Sequence, residues 1–280
     1  MQNLRIAILD LYEGEANEGM RCIKELVTQF ARESQFQVSF DVFDVRSGLQ
    51  VPGLEYDAYI SSGGPGSPIM SAGHEWEKRY FGLMESILGH NRKEDDKKLV
   101  FLICHSFQIF CRYYNIAHVS KRKSTSFGVM PVHKTRAGNH EHLFNQLEEP
   151  FWVIDSRDYQ ITQPDMDAIH QMGGHLLCIE KERPLIPLER AVMAIRFNNE
   201  IIGTQFHPEA DYNSMFMYLS RTDKKDMVIK KHGERKYRDM LLKLNDPEKV
   251  KRTYHAIIPG FLHDVERRKV AYIQRSMAHA

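Results

Sequence analysis

The sequence predicts an α/β fold in which a mainly parallel central sheet carries helices on both faces and a helical extension follows at the C-terminal end. Three observations predict it. Apolar runs of strand length alternate with amphipathic stretches through residues 5–114, the order that a sheet built from strand-helix-strand units requires. Residues 121–196 are richer in turns and short strand-like runs, which fits an antiparallel extension of the same sheet. Beyond residue 212 the pattern becomes helical and the charge changes sign. Residues 211–280 hold 16 Lys and Arg against 9 Asp and Glu, a net +7, against −6 for the remainder of the chain.

The elements follow in order. Arg5 to Leu11 is an apolar first strand, Glu18 to Glu33 an amphipathic helix, and Gln37 to Val45 and Tyr56 to Ser62 the next two strands. A helix over Glu75 to Leu88 leads to strand Lys98 to Ile103 and then to a helix over Phe107 to Tyr114. Ala194 to Phe197 and Ile201 to Phe206 read as strands near the end of this unit. In the extension, Asp246-Pro247-Glu248 makes a good cap and first turn, and Val250, Tyr254, Ile257, Ile258 and Phe261 form a stripe at helical spacing. The division expected is a domain over residues 1–212 and a basic helical extension over 213–280.

Composition narrows the function classes. With 280 residues, 42% hydrophobic and 27% charged, the chain suits one large globular domain plus an appendage. The chain has no long apolar run to cross a membrane, and Met1-Gln2-Asn3-Leu4-Arg5 leads into a strand without a leader pattern, so the expected location is the cytoplasm. Cys22, Cys104, Cys111 and Cys178 lack Cys-x-x-Cys spacing, which argues against a zinc site or a disulfide framework. The 14 histidines show no recurring ligand spacing, so neither a metal nor a cofactor is expected. The basic tail reads as a solvated helical face packed on the main domain, or as a homodimer interface. It lacks the interleaved aromatics of a nucleic-acid surface, so nucleic acid is not an expected partner.

Two short segments carry chemistry. Cys104 follows the apolar run Leu99-Val100-Phe101-Leu102-Ile103 and precedes a helix. A cysteine at such a strand-to-helix turn projects from the carboxyl end of the sheet, and the helix amino terminus favours its thiolate and offers N–H groups to an oxyanion. His207 in Gln205-Phe206-His207-Pro208-Glu209 can take the thiol proton, and Glu209 can orient the imidazole and stabilise its cation. Pro208 makes regular helix or central strand unsuitable there, so a loop is expected. Gly63, Gly64 and Gly66 follow a strand and are placed to turn backbone N–H groups toward an anion. No Gly-Lys-Ser/Thr follows, which argues against a phosphate loop.

These three strings, in this order, resemble the class I (triad-type) glutamine amidotransferases. The Phe206-His207-Pro208-Glu209 string matches that family's His-Pro-Glu signature, and Ser61 to Pro68 resembles its Gly-Pro-Gly loop. The resemblance covers roughly residues 4–212. It implies a flavodoxin-like sheet and glutamine as substrate. It also implies a catalytic triad of Cys104, His207 and Glu209, and an oxyanion hole from Gly63, Gly64 and the N–H of His105. Gln108, Phe127, Gly128, Ser156 and Arg157 would line the glutamine pocket by the same resemblance. No synthase module is recognisable here, so ammonia would pass to an acceptor on a separate synthase partner subunit or to a site built by residues 211–280.

The chain departs from the family pattern at Leu102 and Ser106, where small residues usually flank the nucleophile, and at Arg157, where a histidine is common. The larger residue two before the cysteine is similar to homoserine O-acyltransferases. The same residues also suit a gamma-glutamyl peptide hydrolase or a catalytically silent subunit. Glutamine hydrolysis ranks first, on the glycine loop and the His-Pro-Glu string.

Overall fold

A computed structural model describes residues 2–15, 17–184, 187–244 and 246–278. Nine strands form one sheet: β1 (Asn3–Asp10), β2 (Gln37–Asp44), β3 (Ala58–Ser61), β4 (Leu99–Ile103), β5 (His118–Lys134), β6 (Phe151–Thr162), β7 (His175–Glu180), β8 (Val192–Arg196) and β9 (Ile201–Thr204). Their spatial order is β2-β1-β3-β4-β9-β8-β7-β5-β6. The first five in that order are mutually parallel. From β8 onward every pairing is antiparallel, as the turn-rich middle of the sequence predicts.

Burial explains the strand sequences. All residues of β3 and of β4 are buried, because helices cover both faces, and both strands are therefore almost continuously apolar. The edge strand β2 alternates exposed and half-buried residues, in keeping with a strand that has one neighbour and open water beyond it.

On one face, α1 (Glu18–Glu33) and α8 (Pro247–Ala278) pack together. Helix α1 starts where Asn17 accepts a hydrogen bond from the Gly19 N–H, and it buries Met20, Ile23, Leu26, Val27 and Phe30 at helical spacing. The stripe Ile257, Ile258 and Phe261 of α8 joins the same core as these residues. On the other face, α2 (Glu75–Lys93) and α3 (His105–Tyr113) build a second core around Tyr80, Phe81, Phe107 and Phe110. A short helix, α4 (Met166–Gln171), precedes β7. Three further helices, α5 (Tyr212–Ser220), α6 (Thr222–His232) and α7 (Glu234–Leu244), sit over the antiparallel wing. There Leu219, Val228 and Met240 close a third core on Val129 and Ile154. Among the described residues, no helix is long and apolar enough to cross a membrane.

Candidate active site

Cys104 stands between β4 and α3 and is itself the residue that caps the helix, with φ 48° and ψ −95°. That positive φ in a non-glycine residue is the strained turn that lifts the side chain clear of the sheet. The turn is held from both sides. The Cys104 N–H donates to the Thr204 carbonyl of β9 at 2.8 Å. The Ser106 hydroxyl accepts from the Ile103 N–H at 2.8 Å and donates to the Ser61 carbonyl at 2.9 Å. A serine at the position where glycine is usual thus fastens the turn to β3. Leu102 is fully buried in the second core, so its bulk is absorbed by the packing under the helices and not in the turn.

His207 lies just beyond β9, where its N–H donates to the Ile154 carbonyl of β6 at 2.9 Å. Its Nδ1 is 2.8 Å from Glu209 Oε1, and Cys104 lies close enough to act on its charge. Glu209 is completely buried, and its second oxygen has no hydrogen-bond partner among the described residues. Burial alone would lower the His207 pKa. The Glu209 carboxylate and Cys104 outweigh it and hold that pKa well above its ordinary value. The surroundings therefore favour an imidazolium held by the Glu209 carboxylate beside Cys104.

Gly63 and Gly64 run beside this pair. A Cβ on Gly63 would stand 2.9 Å from His207 Cε1, and one on Gly64 would stand 2.4 Å from the Leu11 carbonyl oxygen. Only glycine fits at either position. His105, the first residue of α3, is buried against Trp76 with ring centroids 6.4 Å apart. Burial, then the charges of Arg46 and Arg112, pull its pKa down to about 3, so the imidazole stays neutral and the residue contributes no cation to the site.

Cys104, His207 and Glu209 border a cavity of about 380 Å³ that is also lined by Tyr12, Gln108, Phe127, Ser156 and Arg157, among others. The residues expected to line the pocket divide here. Gln108 is buried, and its amide donates to Gln205 Oε1 at 3.2 Å. The Ser156 carbonyl lies 4.0 Å from Cys104 Sγ. Arg157 borders the cavity, yet its Nε bonds both Asp155 oxygens at 3.0 Å and its Nη2 is 3.5 Å from Glu180, so its charge is spent inside the wall. Gly128 does not border the cavity. Its φ is 114°, and a Cβ there would meet Met240 of α7 at 2.9 Å, so this glycine admits a helix.

Two residues at the site escaped the sequence reading. Gln205 donates to Cys104 Sγ at 3.7 Å. The parallel register that pairs Ile103 with Thr204 puts the next residues, Cys104 and Gln205, side by side, and this register is not written in either string alone. Tyr12 sits at the end of β1 with its ring buried and its hydroxyl near Gly63. Burial, then the nearby Glu209 and Cys104, raises its pKa well above the usual phenol value, so it remains a hydroxyl.

Comparison with known proteins adds to this geometry. A glutamine amidotransferase from Thermotoga maritima superposes with a TM-score of 0.65 at 20% identity, over 94% of this chain and 98% of that one. A glutamine amidotransferase from Methylobacillus flagellatus gives 0.58 at 12% identity, over 97% and 95%. The glutaminase domain of Trypanosoma brucei CTPS with bound acivicin gives 0.53 at 13% identity, over 74% and 86%. At these identities the likeness is one of fold. A search of curated proteins found no match. The sequence model described as Glutamine amidotransferase class-I matches residues 20–219. That span holds the glycine loop, the cysteine elbow and the His-Pro-Glu segment that the sheet gathers around one cavity, and the chain belongs to the class I glutamine amidotransferase family.

Proposed function

We propose that the protein hydrolyses the side-chain amide of glutamine through a thioester on Cys104 and that the ammonia passes to an acceptor on a partner protein. The observation that carries this reading is the buried chain Cys104–His207–Glu209 at the mouth of a cavity, with Gly63 and Gly64 beside it. The Cys104 thiolate attacks the amide carbon of glutamine. The negative charge that develops on oxygen is held by the His105 N–H at the start of α3 and by N–H groups of the Gly63-Gly64 segment. The imidazolium of His207 gives its proton to the departing nitrogen, the C–N bond breaks, and ammonia leaves a glutamyl thioester. Water then attacks the thioester carbon, His207 takes the proton from that water, and the Cys104 thiolate leaves as glutamate forms. Glu209 keeps its proton count throughout and acts by orienting the imidazole and stabilising its charge.

The deciding experiment is glutamate release from glutamine, with Cys104→Ala as control and intact-mass detection of the thioester or of labelling by acivicin, the compound bound in the CTPS glutaminase domain. Glutamate that depends on Cys104 supports the reading. Absence of both turnover and labelling overturns it, and turnover of acyl-coenzyme A or of gamma-glutamyl peptides alone would replace it.

A further inference from the structure

The segment that carries Gly63 and Gly64 continues through Pro65 and Gly66, which border the cavity, to Ala72, and loops of this kind need something to hold their N–H groups on a developing charge. Two guanidinium groups grip it by its carbonyls. Arg46, from the connection between β2 and β3, donates through Nη1 to the Pro65 carbonyl at 2.6 Å and to the Leu11 carbonyl at 3.3 Å. Its guanidinium lies over the Trp76 ring at 5.2 Å, and its side chain is 10% exposed. Arg112, on the elbow helix α3, donates to the Pro68 carbonyl further along and pairs with the buried Glu77.

The Leu11 contact gives Arg46 its meaning. The Leu11 carbonyl is the atom against which Gly64 packs, at 2.4 Å from where a Cβ would stand. One guanidinium therefore joins the two backbone segments whose contact sets the orientation of the Gly64 peptide: the end of β1 and the glycine loop. Nη1 carries two hydrogens and holds both carbonyls at once, while the planar guanidinium lies over the Trp76 ring. The remaining partner of Arg46, Glu13 at 3.2 Å, is more than half exposed, and such a pair adds little.

We propose that Arg46 is a positioning residue for the oxyanion hole: it holds the Gly63-Gly64 segment in register with Cys104 by clamping the Pro65 and Leu11 carbonyls. The inference rests on the reading of Cys104 as a nucleophile for glutamine. It implies that Arg46 acts on the transition state and not on substrate binding or on the thiol.

The test compares wild type, Arg46→Met, which keeps an unbranched side chain and removes the donors, and Arg46→Lys in three measurements. For Arg46→Met, kcat for glutamine should fall about tenfold to a hundredfold with KM within about threefold, a loss somewhat below that seen when one oxyanion donor is removed outright. Arg46→Lys should recover part of that loss. Alkylation of Cys104 by iodoacetamide, which forms no oxyanion, should keep its wild-type rate. Amide exchange in a peptide spanning residues 62–72 should be faster in Arg46→Met, while a peptide from α3 is unchanged. A loss borne by KM, an equal loss of alkylation, or unchanged exchange over residues 62–72 would overturn the proposal. If the wild type releases no glutamate, the glutaminase reading fails separately, and the exchange comparison still decides whether Arg46 clamps the loop.

Discussion

The parallel half of the sheet and its antiparallel wing meet at one cavity, yet they hold their residues there by different means. At the end of the parallel half, backbone bonds fix Cys104 to Thr204 of β9 at 2.8 Å and His207 to Ile154 of the wing's β6 at 2.9 Å. In the wing, the wall formed by Phe127, Ser156 and Arg157 is tied by buried side-chain charges, with Arg157 on Asp155 and Glu180, and Arg122 also on Glu180 at 3.2 Å. The lesson is a division of labour. Cys104 and His207 sit where main-chain bonds hold them, and the wall sits where side-chain chemistry can vary without moving Cys104.

The sharpest way to probe the first region is Glu209→Gln. Removing the charge that holds the His207 pKa high should cut kcat by about 10²–10⁴-fold while leaving some turnover. The sign of the pH effect is defined. In the proposed mechanism the imidazolium protonates the departing amide nitrogen, and without the carboxylate it loses its proton at lower pH, so the basic limb of the rate profile should move down. A profile that falls uniformly with no shift would show that Glu209 acts by geometry alone.

A smaller effect on rate is expected in the wing. Arg157→Met removes the guanidinium from both Asp155 oxygens, and breaking a buried pair of this kind costs about 3–5 kcal/mol of stability. The KM for glutamine should rise by about tenfold, equivalent to about 1.4 kcal/mol, with kcat less affected. A loss confined to kcat at unchanged KM would break the proposed division between the two regions.

The smallest effect concerns the seating of α8, away from the cavity. His142 sits between Asp264 of α8 and Glu141, and those two carboxylates raise its pKa to about 9. A histidine whose pKa is raised on folding stabilises fully below its unfolded value of about 6.5, and that stabilisation disappears as pH rises through about 9. The side chain is 45% exposed, so solvent screening keeps the effect modest. Thermal unfolding temperatures measured from pH 6 to pH 10 should decline more for the wild type than for His142→Gln. Parallel declines in both would show that this histidine does not fasten α8.

Much of the fold was legible because each signal was local. Continuous apolar runs mark β3 and β4, buried on both faces, and the Met20 to Phe30 spacing marks α1 as amphipathic. The strings that carry Cys104, His207 and Glu209 were readable for the same reason, since a strand-to-helix turn and a proline-bearing loop are encoded within a few residues. Other positions needed partners far away in the chain. Gly128 reads as a pocket residue until α7 is seen against it. Arg157 reads as a pocket-lining residue by resemblance, and only the structure shows that Asp155 and Glu180 take up its charge in the wall.

By itself, then, the sequence determined the alternation that forces a parallel sheet, the turn that raises a cysteine, and the glycine and His-Pro-Glu segments that can serve it. Only the tertiary structure decided that Gln205 lies beside the thiol, that Tyr12 stays a hydroxyl at the cavity, and that Arg46 bridges the glycine loop to β1. The reason is physical. Secondary structure follows from nearest-neighbour sterics and hydrophobic period, whereas these contacts arise from strand order and register, which depend on how residues tens to hundreds of positions apart are packed.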